Sequence, residues 1–382
     1  MKIGIITPVD IRHSFTGTDW HEYEYAKFMR QHGLEVEMLV TNTQISKRKP
    51  PYNNQLYKYY KDIPIRNVRC TELLLPFKWH LFVHWNLPTN EIIYFPFSVY
   101  DYILNVITRA HNQKYIIGNH GMHLKYGHIV LNHNVIEKIL NSMIRLLLFL
   151  RANDSDKIFY HALNKNQMLY LISLGAKKEN IFCIPAMVDS TKYRIGRNGS
   201  KKLRVMHIGG SGKGGDTIVQ IIDELVRLGR IGDFEFCFVG DRPPSKACEY
   251  SMERSNIVVD GIISERRKLR KLSQYDVMIV PFFEVFPKTM LEALASGMYV
   301  ITSLKNGAAR DMQDVGIRFT LIKTDDIREY VNVLLELAEQ KKKNPRKFNS
   351  YKDSNRRIVE RGFDKRAVLR KILEMFKEIE NR

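Results

Sequence analysis

The sequence predicts an α/β protein built from two parallel-sheet domains in tandem. Three observations carry that expectation. Apolar strand-like runs alternate with helical patterns almost throughout, the mark of parallel sheets covered by helices. The series stops and restarts across a polar, basic, glycine-containing stretch at 194–202. The chain has 382 residues, too many for one ordinary core and suited to two of roughly 150–200 residues each.

The first series reads as strands at 2–7, 35–41, 91–95, 114–119, 157–160 and 180–184, with helices at 20–31, 99–112, 135–151 and 165–174. The second reads as strands at 203–208, 234–239, 256–260, 276–281, 298–302 and 317–321, with helices at 216–228, 265–272, 289–296 and 326–340. Domains are therefore expected at 1–190 and 191–360, with a basic helix over 363–379 inside a terminal segment 361–382. Two such series make a pair of Rossmann-like domains, and the crevice between them is the default site. Residues 45–70 are the least patterned and read as a connecting loop, with an acceptor-shaping surface as the alternative.

Composition excludes several classes. The four cysteines, Cys70, Cys183, Cys237 and Cys248, form no C-x-x-C pair, so neither a disulfide framework nor a zinc site is expected. The opening residues Met-Lys-Ile-Gly-Ile-Ile-Thr read as a strand rather than a signal peptide. The most apolar stretch, 139–150, is interrupted by Asn141 and Arg145 and falls short of the ~20 residues a bilayer requires. The expectation is a cytoplasmic protein with no transmembrane segment.

Charge is uneven. The formal net charge is +19, and residues 340–382 alone hold fifteen Lys and Arg against six Asp and Glu. Such an excess attracts a nucleotide, an anionic membrane surface or a nucleic acid, or simply forms a solvated face. A peripheral membrane contact through the basic charge and residues 146–150 is one expectation, and burial of those leucines in a helix is the plainer one.

Four segments carry chemistry. In the first, an apolar strand ends at Pro281, and Glu284 opens a turn that leads through Phe286 and Pro287 into a helix near Lys288 and Thr289, with Glu292 beyond. A helix N-terminus at the carboxyl end of a strand favours an anion, and carboxylates accept hydrogen bonds from sugar hydroxyls. The spacing leaves a plainer reading open, with Glu292 a first-turn acid and Glu284 a solvated turn residue. In the second, five of the seven residues from Gly209 to Gly215 are glycine, with Ser211 and Lys213 between them. Such a turn lets backbone N–H groups approach a phosphate.

It is not a Walker A loop, because Gly214 follows Lys213 where Ser or Thr binds magnesium. It does match G-x-G-x-x-G at Gly210, Gly212 and Gly215, with Asp241 closing the next strand. In the third segment, Gly17 allows close phosphate approach, against a simple N-cap by Thr18 or Asp19. In the fourth, His120 ends a strand facing the expected crevice, or serves as a structural histidine.

Together these segments resemble the retaining GT-B glycosyltransferases of family 4, often called group 1. Gly17 with Glu24 to Val36 looks like the family's first glycine loop and helix, His120-Gly121 like its crevice histidine, and Asn180 to Asp189 like its interdomain segment. Glu284 and Glu292, separated by seven residues, match its E-x7-E motif. The resemblance implies a GT-B fold with two sheets facing across a cleft, and a nucleoside-diphosphate sugar as donor. Gly209, Gly210, Ser211 and Lys213 would hold the diphosphate. Glu284 would meet the sugar, Glu292 the ribose, and backbone around Phe286, Pro287, Lys288 and Thr289 both sugar and phosphate. It also implies retention of configuration, a saccharide or lipid-linked acceptor, and a last helix that returns to the first domain.

No metal cluster or cofactor is expected; Lys213 and helix N-termini would stabilise the leaving diphosphate. Two departures stand out: Gly210 occupies the place of the family's usual arginine, and Glu-Val-Phe-Pro-Lys replaces the commoner Glu-Gly-Phe-Gly. The competing classes are an NAD-dependent oxidoreductase built on Gly210, Ser211 and Gly212, and a basic nucleic-acid-binding protein. The first leaves Glu284 and Glu292 without a role, and the second rests on charge alone.

Overall fold

The structure is a computed structural model that describes residues 1–7, 19–41, 62–75, 79–85, 90–96, 113–118, 124–125, 128–129, 157–173, 175–196, 199–282, 284–324 and 326–382. The helices expected at 99–112 and 135–151, and the leucines at 146–150, lie outside the described residues. The chain divides into two compact units, one of Met1–Ala186 with Val368–Arg382 and the other Met187–Ala367.

The first unit holds β1 (Lys2–Thr7), α1 (Asp19–Gln31), β2 (Glu35–Thr41), β3 (Ile65–Leu75), β4 (Trp79–Trp85), β5 (Ile92–Phe95) and β6 (Lys114–Gly118). After a two-strand hairpin, β7 (Leu124–Lys125) with β8 (His128–Ile129), come β9 (Ile158–Ala162), α2 (Lys165–Ser173) and β10 (Ile181–Cys183). Its eight-stranded sheet runs β10-β9-β6-β5-β1-β2-β3-β4. The central strands are near-continuous apolar runs because both their faces are covered; Ile3, Ile5, Ile93, Phe95, Ile117 and Phe159 are buried.

Two features differ from the sequence reading. Residues 65–70, expected as loop, begin β3, which pairs parallel with β2 from Met38↔Ile65 to Thr41↔Val68. Near a sheet edge one strand face meets solvent, so β3 mixes buried Val68 with exposed Arg66, which pairs with Glu37 of β2 at 3.2 Å. The sheet is also not wholly parallel, since β4 returns antiparallel along β3 from Arg69↔Trp85 to Leu75↔Trp79.

The second unit holds β11 (Leu203–Ile208), α3 (Gly215–Arg227), β12 (Phe234–Val239), α4 (Ser245–Glu253), β13 (Ile257–Gly261), α5 (Glu265–Leu272) and β14 (Val277–Val280). Next come α6 (Lys288–Ala295), β15 (Tyr299–Ser303), α7 (Ala309–Asp314), β16 (Thr320–Ile322), α8 (Ile327–Lys343) and α9 (Pro345–Gly362). The sheet runs β13-β12-β11-β14-β15-β16, every pairing parallel. Helix α3 buries Ile218, Val219, Ile221, Ile222 and Leu225, the stripe a helix needs against a sheet. Asp326 caps α8 by accepting from the Arg328 N–H at 2.9 Å, and Asn344 caps α9, with Pro345 in its first turn. The stretch expected as a linker is tied to this unit, because a Cβ at Gly196 would overlap the Ser273 carbonyl oxygen at 1.5 Å.

The first unit closes with Val368–Arg382, which helix α10 (Lys365–Asn381) supplies except for the terminal Arg382. Phe376 packs edge-on against Tyr94 with centroids 6.0 Å apart. The Lys114 ammonium caps the helix by donating to the carbonyls of Ile379 and Glu380 at 2.7 and 3.0 Å.

A buried ion cluster braces the second unit. Asp276, which leads into β14, accepts from the Arg204 backbone N–H at 3.0 Å and from the Lys341 ammonium at 2.6 Å. Lys341 continues the buried stripe of α8, and its ammonium also donates to the Lys202 carbonyl at 2.7 Å. Lys352 of α9 lies 3.9 Å from the other carboxylate oxygen. Asp276 is 1% exposed, so removing its charge strands two buried ammonium groups. Replacing it with alanine is expected to cost about 3–5 kcal/mol, lowering the unfolding midpoint by on the order of 10 °C. Calorimetry of Asp276→Ala checks this, and an unchanged midpoint contradicts it.

Candidate functional site

The strand order of the second sheet fixes where a site can form. Numbered within the unit the order is 3-2-1-4-5-6, so the chain leaves β11 and β14 toward opposite sides of the sheet. The loops beyond their carboxyl ends border a crevice, and both sequence-selected segments of this unit fall on them.

The β11 loop is glycine-built for steric reasons. Gly209 and Gly214 have φ of +149° and +86°, values that L side chains rarely adopt. At Gly210 the constraint is space, since a Cβ would stand 2.1 Å from the Asp241 carbonyl oxygen and 2.8 Å from that of Arg242. The turn after β12 is pressed onto the loop, and the Arg242 carbonyl accepts from the Ser211 N–H at 3.1 Å. An arginine at 210 has no room here, which explains that departure from the family pattern. Asp241 itself is 69% exposed and lies 3.4 Å from the Arg242 guanidinium.

Ser211–Lys213 forms one tight turn before α3. A Cβ on Gly214 would lie 2.6 Å from the Pro281 ring, so the two loops touch. The Lys213 ammonium reaches across to the Glu284 carboxylate at 3.6 Å and sits 5.4 Å from the centre of the Phe282 ring. Glu284 is held from behind by a bridge to Asn306, and its carbonyl accepts from the Gly307 N–H at 3.0 Å. Val285, Phe286 and Pro287 are buried, with the Phe286 ring packed on Phe363 at 6.0 Å.

Lys288 and Thr289 then open α6, whose N-cap residue, Pro287, makes no side-chain capping bond. The Thr289 hydroxyl oxygen is buried without a hydrogen-bond partner. Glu292 was expected in the first turn, but α6 begins at Lys288, which puts Glu292 in the second.

Glu292 is 2% exposed and carries its own cation, the Lys268 ammonium of α5 at 3.0 Å. Lys268 also pairs with Glu265 at 2.9 Å. Burial pulls the Lys268 ammonium down, but Glu292 and Glu265 outweigh it and hold it above the ordinary lysine range. Lys288 is lowered, chiefly by burial. The Tyr193 phenol faces the same carboxylate, and burial followed by the charge of Glu292 raises it. The structure therefore brings Lys213 to Glu284 and pairs Glu292 with Lys268, a residue no motif signalled. Gly17 and His120 lie outside the described residues.

Two Rossmann-like units in tandem, with the site loops at the second switch point, define the GT-B class of proteins. Residues 202–340, within the second unit, match the family described as glycosyl transferases group 1. No curated protein matches the chain. Among solved structures, HepE of Anabaena in complex with UDP has a TM-score of 0.70 at 15% identity, covering 99% of this chain and 100% of that one. Sucrose-phosphate synthase from Thermosynechococcus elongatus gives 0.70 at 14% identity, covering 100% and 99%. The lipopolysaccharide outer core galactosyltransferase WaaB gives 0.66 at 15%, covering 99% of each chain. At these identities the likeness is one of fold.

The packing of the β12 turn on Gly210 has a measurable consequence. Gly210→Ala is expected to cost about 1–3 kcal/mol by overpacking against backbone, visible as a lower unfolding midpoint. Alanine at Gly212, whose Cβ meets nothing within 4 Å, is expected to leave the midpoint unchanged.

Proposed function

We propose that the chain transfers a glycosyl unit from a nucleoside-diphosphate sugar, with retention of configuration, to a saccharide or lipid-linked acceptor. The observation that carries this reading is the Lys213–Glu284 pair at the switch point of a unit that matches the group 1 glycosyltransferase family. A donor diphosphate lying along the β11 loop meets the backbone N–H groups of a glycine turn, the dipole of α3 and the Lys213 ammonium. As the glycosidic bond breaks, charge builds on the leaving phosphate oxygen. Lys213 is placed to neutralise it, so the reading needs no metal ion.

Glu284 then exchanges its ammonium partner for hydroxyls of the donor sugar, and the N-terminus of α6 with Thr289 faces sugar and phosphate. Glu292 receives the ribose by displacing Lys268. Retention follows if the acceptor attacks the face from which the diphosphate departs and yields its proton to a leaving phosphate oxygen. Glu284 orients the sugar and is not the nucleophile, unlike the paired carboxylates of retaining glycosidases. On sequence resemblance, Gly17 is assigned to donor binding and His120 to catalysis. UDP as the donor's leaving group is favoured by the fold likeness to HepE, whose structure holds UDP. A cytoplasmic enzyme in peripheral contact with an anionic membrane fits the basic C-terminal segment.

The test is nucleoside diphosphate release from a panel of UDP-, GDP- and ADP-sugars. Lys213→Ala is expected to lower turnover about a hundredfold, while Glu292→Ala raises the donor KM. Wild-type rates in both variants would remove the site assignment.

A further inference from the structure

His207, the fifth residue of β11, lies directly beneath the glycine loop and plays no part in the reading above. Its Nδ1 stands 3.1 Å from the Ile279 carbonyl oxygen of β14. A carbonyl only accepts, so Nδ1 carries the hydrogen and Nε2 presents a bare lone pair. That Nε2 is buried and has no hydrogen-bond partner, and the residue is 1% exposed. It points at the side of Gly209 that lacks a side chain, where a Cβ would lie 3.3 Å from Nε2 and 2.7 Å from the Lys213 Cβ. An orphaned acceptor aimed at an anion loop is unfavourable twice over, being unsatisfied and of the wrong polarity. A proton on Nε2 reverses the polarity, so that the ring attracts an anion held by the loop.

We propose that His207 takes up a proton when a diphosphate occupies the β11 loop, becoming a second, buried cation beneath the phosphates. The inference rests on the donor-diphosphate reading given above. In the free protein the ring is neutral, because burial and then the Lys213 charge push its pKa down to about 4, against the opposing bond to Ile279. Of the elements around the ring, β12 presents Phe238 edge-on at 6.3 Å and β14 the Ile279 carbonyl. The loop presents Lys213, the charged group that acts on it. A diphosphate cancels the Lys213 field and adds further negative charge. At an effective dielectric of ~20, one net negative charge about 6 Å away favours the imidazolium roughly a hundredfold. His207 is a positioning group for the phosphates, acting through the loop above it.

Occupancy raises the pKa, so the gain in affinity is complete below about 4 and is lost as pH climbs through the raised, bound-state value. Titration calorimetry of wild type and His207→Gln with UDP and with GDP, in buffers of different ionisation enthalpy, measures the proton count. The ligand's own ionisation is common to both proteins and cancels in the comparison. Wild type is expected to take up more protons per ligand than the variant. From pH 5.5 to 7.5 its affinity is expected to fall more steeply, by up to about tenfold per pH unit.

On wild type alone, the ¹⁵N resonance of His207 Nε2 is expected to move from that of a bare ring nitrogen to that of a protonated one on ligand addition. Ligand binding with equal proton counts and an unmoved resonance overturns the inference and leaves the donor reading intact. Failure of UDP and GDP to bind wild type overturns both.

Discussion

The second unit depends on one buried carboxylate. Asp276 binds the Arg204 N–H, the Lys341 ammonium and, at longer range, that of Lys352, and so fastens the amino end of β14 to β11, α8 and α9. The ladder continues from it, with the Asp276 N–H donating to Arg204 and its carbonyl accepting from Tyr299. A parallel sheet offers no tight turn to fix two sequence-distant strands side by side. Here a charge cluster at one end sets the pairing of β11 with β14, and the two loops at the other end are positioned as a result. Any chemistry proposed for Lys213 and Glu284 therefore leans on a residue at the opposite end of the same strands.

The site is organised as two ion pairs. Lys213 with Glu284 is exposed enough to exchange partners, whereas Glu292 with Lys268 is nearly dry. Losing one partner costs little in an exposed pair and much in a buried one, where the remaining charge needs a new partner. A ligand entering this crevice thus meets carboxylates already neutralised, and its own groups replace internal partners.

Much of this was legible in the chain. The second series of strands was read closely because β11, β12 and β14 are unbroken apolar runs with glycine turns beyond them. What escaped has physical reasons. β3 mixes Arg66 and Asn67 with Val68, as a strand with a solvated face does. Helix α4 buries only Ala247, so no stripe marks it. Helix α9 buries Lys352 and Asn355 among its core-facing residues, which makes a packed helix look like a solvated one. Lys268 and His207 carry no motif, since their roles arise when separate elements meet. Glu292 falls in the second turn of α6 because Pro287 is the N-cap and Lys288 the first helical residue.

The closeness of Gly210 to the Asp241 carbonyl reaches past this one molecule. Two turns in van der Waals contact through bare backbone cannot drift independently in related sequences. A lineage carrying a bulky residue at 210 would need a compensating withdrawal or shortening of the 241–242 turn. Those two positions should accordingly covary, and the glycine and the left-handed Arg242 (φ 50°) form a single heritable trait.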